Sequence, residues 1–164
     1  MKALRFTLVL ALSVGAFAQN KTVVRWNRIV GDITAPGIDN PIGAAANQIH
    51  SAPGPWTARA GNARVNLLSG EGSFEVEGLV LNGGNFSGTP GPVKSVVGTL
   101  VCNPGTATQV IVDTPATDLS AVGNAELSFR IGVPAECTDP LFLIRAGVKW
   151  LATGTSPTFG GGGF

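Results

Sequence analysis

A single imidazole, His50, two thiols, Cys102 and Cys137, and ten Asp and Glu side chains are what this 164-residue chain offers for acid–base, nucleophilic or metal chemistry. A Ser–His–Asp or Cys–His arrangement would have to be built on His50, and no Gly-x-Ser-x-Gly elbow accompanies it. Zinc needs three or four good ligands, and one histidine among scattered acids does not supply them by spacing. His50 instead reads as an exposed polar residue of a proline-rich stretch that also holds Trp56. With Trp56 it forms the candidate ligand-binding pair. Trp56, between Pro55 and Thr57, either stands exposed, where an indole can stack on a sugar or a partner protein, or plugs that stretch onto the body of the domain.

The carboxylates offer a second route. Asp32 and Asp39 bracket Ile33 to Ile38, Asp113 and Asp118 bracket Thr114 to Thr117, and Glu136 and Asp139 flank Cys137. Calcium takes six to eight oxygens, loop carbonyls among them, and Asp32 with Asp39 are the candidate metal ligands. None of these pairs has the spacing of an EF-hand loop, and Asp in turns commonly serves to hydrogen-bond its own backbone. A glycosidase pair would need two carboxyl groups about 5 to 9 Å apart with one of them in an apolar pocket, a distance that spacing alone does not set.

Lys2 and Arg5, an apolar run from Phe6 to Ala18 and the closing Ala16-Phe17-Ala18 have the form of a secretory signal peptide over residues 1–18. The run is shorter than the roughly 20 residues of a membrane span, and no later segment reaches that length. Export places Cys102 and Cys137 where disulfides form and persist. Only one intramolecular pairing is possible, and it closes a loop of about 36 residues. Eleven Lys and Arg against ten Asp and Glu give a net charge of +1. Losing Lys2 and Arg5 with the leader leaves nine against ten, or −1. Without a basic stripe to track phosphates, nucleic acid is disfavoured as a partner.

The elements that must position these residues are strands. Twenty-three Gly and eleven Pro are too many for a helical bundle, and they follow no collagen period. Charged residues make up 13% of the chain, about half the usual share. Val23 to Ile33 is β-branched and aromatic, with Trp26 facing the core. Residues 34–56 form a long irregular loop, broken only by Ala44 to Ile49, which has the composition for a helical turn or two; such loops often carry the site when ordered. Alternation over Ala63–Leu68 and Ser73–Leu81 predicts a hairpin with Val65, Leu67, Phe74, Val76 and Val80 inward, and with Arg64 opposite Glu75 or Glu77. Val93–Cys102, apolar on both faces, predicts a central strand. Further strands are expected at Gln109–Val112, Ala125–Ile131, Leu141–Ala146 and Val148–Ala152, the last carrying Trp150 into the core. About seven or eight strands without alternating helices define an antiparallel β-sandwich, immunoglobulin-like or a related Greek key. The expected organisation is a leader at 1–18, one sandwich over 19–154 and a flexible glycine-rich tail at 155–164.

Between about Gly61 and Gly154 the chain resembles a group of small exported bacterial β-domain proteins of uncharacterised activity. The likeness is carried by Phe74-Glu75-Val76-Glu77-Gly78-Leu79-Val80-Leu81, by Gly98-Thr99-Leu100-Val101-Cys102, by Val112-Asp113-Thr114-Pro115 and by Gly132-Val133-Pro134-Ala135-Glu136-Cys137. It implies a secreted β domain with paired cysteines and transfers no catalytic residue. The strand pattern also looks faintly like exported CHRD-type domains. The expectation is an exported, secreted or periplasmic, non-enzymatic structural or interaction module without a cofactor, its partner an envelope glycan or protein. The alternatives are a glycan- or calcium-binding module and, behind these, an exported hydrolase.

Overall fold

The computed structural model describes residues 22–43 and 45–160. The expected leader and the last four residues lie outside that range. Thirteen strands follow one another: β1 Val23–Trp26, β2 Arg28–Gly31, β3 Trp56–Thr57, β4 Ala60–Asn66, β5 Glu71–Glu77, β6 Val80–Leu81, β7 Ser95–Cys102, β8 Val110–Asp113, β9 Thr117–Asp118, β10 Ala125–Arg130, β11 Leu141–Ala146, β12 Lys149–Thr155 and β13 Thr158–Gly160. A single 3₁₀ turn, Gly84–Phe86, separates β6 from β7. Among the described residues no helix is long and apolar enough to cross a membrane.

The strands form an all-β, antiparallel sandwich. One sheet has the order β10-β5-β4-β1-β13; the other runs β2-β12-β11-β7-β8, with β9 also on β7; β3 and β6 make a separate two-stranded ribbon. Alternation within each strand explains the layers. Val24, Trp26, Ala63, Val65, Phe74, Val76 and Phe129 of the first sheet meet Ile29, Val96, Leu100, Phe142, Ile144 and Leu151 of the second in one buried cluster. Phe142 lies at its centre, 5.5 Å from Trp26, 5.8 Å from Phe74 and 6.3 Å from Phe129 between ring centroids. These are separations at which aromatic pairs add to simple area burial.

Thirteen strands exceed the expected seven or eight because several predicted runs are cut. The first run is split at Asn27, so that β1 pairs with β4 in one sheet and β2 with β12 in the other. The edge along β7 is likewise interrupted: β8 covers Thr99–Cys102, β9 covers Ser95 and Val96, and Thr114-Pro115-Ala116 lies between. Proline cannot donate to the ladder and is tolerated on such an edge. The hairpin β4–β5 forms over Ala60↔Glu77 to Val65↔Gly72, close to where alternation put it, but with two differences. Arg64 faces Ser73 and donates to its Oγ at 3.0 Å, while Glu77 pairs with Arg59 at 2.8 Å. Leu79 is fully buried and Val80 only half-buried, because Gly78 takes φ 62° and shifts the alternation by one residue.

Two further expectations are corrected. The tail begins as the end of β12, and Thr158–Gly160 pairs with β1 from Val23↔Gly160 to Arg25↔Thr158. Glycine weakens a strand, yet the open edge of β1 offers hydrogen bonds that composition does not reveal. Instead of helical turns, the stretch around Ala45 doubles back so that Ile42 and Ile49 exchange both backbone hydrogen bonds, at 3.0 and 2.9 Å.

Candidate functional site

The excursion between β2 and β3 is closed at its base. Asp32 N–H donates to Leu151 O at 2.8 Å, and Asp32 O accepts from Trp56 N–H at 2.5 Å. Its body lies over the outward face of the second sheet, where Val101, Leu143 and Trp150 alternate with the core residues of β7, β11 and β12. Ile49 completes that small cluster, with Ile42 and Leu141 packed against it. Trp150 is thus buried as expected, but under the excursion rather than between the sheets. Its indole N–H donates to Asn40 O at 2.8 Å, its backbone N–H to His50 O at 3.0 Å, and its carbonyl accepts from Ala52 N–H at 3.0 Å. Gln109 Nε2 donates to Asn47 O at 2.7 Å. A loop with its polar backbone groups satisfied in this way is held in one shape.

On the outer side of the excursion His50 Nδ1 lies 2.5 Å from Asp39 Oδ2, both side chains 46% exposed. Asp39 Oδ1 accepts from Ser51 N–H at 3.2 Å. The hydrogen bond with His50 holds the Asp39 carboxyl below its ordinary range; desolvation opposes it, and the charge of His50, the Ser51 N–H and the charge of Lys149 add to the lowering. A carboxylate on Nδ1 fixes the imidazole's orientation and leaves Nε2 as its other nitrogen for a ligand or proton. The neighbouring hydroxyl, Ser51 Oγ, is buried and accepts from Asn40 N–H at 3.0 Å.

Two clefts flank this part of the excursion and share a ridge of Ala52, Pro53 and Lys149. One, of about 230 Å³, is lined also by Gly37, Ile38, Asp39 and Ser51. The other, of about 250 Å³, is almost wholly apolar and is walled by Trp56, Leu81, Pro92, Val93, Ala146 and Leu151. Trp56 is 3% exposed, so it is a wall and plug rather than a free stacking platform.

The predicted site residues thus separate into two groups. His50 and Asp39, predicted for different roles, are brought together. Asp32 is drawn away from them into the base of the loop: it is 2% exposed, Oδ1 accepts from the Thr34 N–H and hydroxyl, and Oδ2 is buried without a partner among the described residues. Among the described residues no three His, Cys, Asp or Glu side chains converge to hold a metal ion. Of the cleft walls only Trp56 was singled out by sequence; Lys149 and the other apolar wall residues were not, and nothing in their spacing marks them. A larger concavity, about 520 Å³, lies elsewhere, as an acid-lined groove along β5, β9 and β10 with Glu75, Glu77, Asp118 and Glu126. Glu75 and Glu126 stand directly opposite one another there.

At the end of β7, Cys102 is bridged to Cys137, Cα to Cα 4.6 Å. Asn103 reinforces the junction: its N–H donates to Thr138 O, and its Oδ1 accepts from the Thr138 N–H and hydroxyl at 2.8 and 2.7 Å. The class defined by these features is a disulfide-stapled antiparallel β-sandwich with an ordered excursion over one sheet. No family model, curated protein or solved structure matches the chain.

Proposed function

We propose that this chain is an exported, non-catalytic interaction module of the cell envelope or extracellular space, and that residues 32–55 form its recognition surface. The observation that carries the reading is a loop fixed by Trp150, Asn40, Gln109 and the Asp39–His50 pair that nevertheless presents Ile33 at 82% and Ile38 at 56% exposure. Apolar side chains held out on an ordered loop bind without a large ordering cost. Export is supported by the leader-like residues 1–18 and by the Cys102–Cys137 bridge, which belongs to an oxidising compartment.

The test is a photo-activated cross-linking side chain placed at Ile38 and, as a control on the opposite sheet, at Ser128, in the exporting cell. A discrete adduct at Ile38 and none at Ser128 is the expected result. Equal labelling at both positions, or none at either, overturns the assignment of the surface.

A further inference from the structure

We propose that the apolar cleft beside Trp56 binds a small amphipathic anion, a compact aromatic or branched hydrocarbon body bearing one carboxylate or sulfonate; this deepens, and rests on, the reading of the excursion as a recognition surface.

Three observations define the ligand. The cleft holds about 250 Å³ and is walled by apolar side chains, just below the range for drug-sized ligands, which suits one ring with a short chain. Trp56, one of its walls, is buried with its indole N–H unpartnered among the described residues. A buried donor without an acceptor is unfavourable; having no accessible surface, it meets a ligand oxygen only when the ring turns toward the cleft on binding. Lys149 stands on the rim in both clefts and makes no ion pair among the described residues, while the nearby Asp39 carboxylate is engaged by His50 and Ser51. An apolar body with a cation at its mouth complements an amphipathic anion.

Gly54 supplies a clean way to close the cleft. A Cβ added there would meet Leu81 Cδ2 at 3.7 Å, an ordinary contact, and the backbone is not in the left-handed region. Gly54→Leu therefore fills the space with little strain.

The experiment follows the three indole N–H resonances of the full disulfide-bonded chain while phenylbutyrate, or phenylbutanol as its neutral counterpart, is added; Trp56→Phe assigns the signal. Phenylbutyrate is expected to move the Trp56 resonance and leave those of Trp26 and Trp150 in place. Lys149→Ala should weaken phenylbutyrate by up to roughly fivefold, the scale of one partly exposed charge pair, and leave phenylbutanol unchanged. Gly54→Leu should abolish the shift without moving the urea midpoint. No shift at Trp56, a shift that survives in Gly54→Leu, or the same phenylbutyrate affinity in Lys149→Ala overturns the proposal. If it fails while the cross-link at Ile38 forms, the ligand class is wrong and the recognition surface stands; if both fail, both readings fall.

Discussion

Replacing Cys102 and Cys137 together by alanine opens a covalent loop whose ends are 35 residues apart in sequence. Alanine is the choice because Cys102 is fully buried and a serine hydroxyl there would add its own desolvation penalty. In the chain-entropy relation a closed loop of about 36 residues restricts the unfolded state by about 13 cal/mol/K, or about 4 kcal/mol at 25 °C. The folded state should change little. Asn103 N–H on Thr138 O, Asn103 Oδ1 on the Thr138 N–H and hydroxyl, and Asn103 Nδ2 on Glu136 O continue to hold the same two segments together. The loss is therefore a gain of freedom in the unfolded chain, and it has a second signature. The urea m-value should rise as the uncrosslinked unfolded state exposes more surface. With an unfolding entropy of about 2.1 cal/mol/K per residue over roughly 140 residues, 4 kcal/mol corresponds to a fall in Tm of about 14 °C. Urea and thermal melts of the two proteins measure both quantities. A stability difference below about 1 kcal/mol, or an unchanged m-value, would refute the reasoning.

Three further outcomes are expected. Glu126→Lys converts the like-charged pair with Glu75 into an opposite-charged one and should stabilise the domain by about 0.2–1 kcal/mol in urea melts at low salt, an effect that should shrink in high salt; destabilisation at low salt would contradict it. Gly31→Ala places a Cβ 2.2 Å from Trp56 O, where only backbone could yield, and should cost about 1–3 kcal/mol; a neutral result would mean that the base of the excursion shifts freely. Asp39 has a folded pKa below its ordinary 3.8, so its contribution is present above that value and is lost as pH falls below it toward the folded pKa. Asp39→Asn should flatten the acid limb of the stability profile in that window, and superimposable acid limbs would sink the idea.

Much of the sandwich was legible because alternation is a local signal. β4, β5, β10 and β11 fall within a few residues of their predicted runs, and Cys102 and Cys137 had only one possible partner. What was hidden depends on pairing between distant segments. β13 becomes a strand because β1 has an open edge, and nothing in a glycine-rich stretch announces that. The division of the first run between two sheets and the phase shift at Gly78 are decided by what lies across the sheet. The site was legible in parts. His50 and Asp39 were both singled out, yet they stand eleven residues apart in irregular chain, and the pairing of Ile42 with Ile49 and the hydrogen bonds from Ser51 and Trp150 bring the two together. The sequence left Trp56 open between exposure and burial, since its side chain is turned inward by the hydrogen bond from its own N–H to Asp32 O and by the short pairing with Leu81.

The pairing of β13 with β1 also decides how the domain meets a mechanical load. Val23 and Gly160 are direct neighbours on antiparallel strands, so tension applied at those two residues pulls the strands apart from one end like a zipper. The rungs then fail one after another instead of sharing the force as they would in shear. A module strung in series through these strands would part there at low force, with the Cys102–Cys137 loop and the rest of both sheets still assembled.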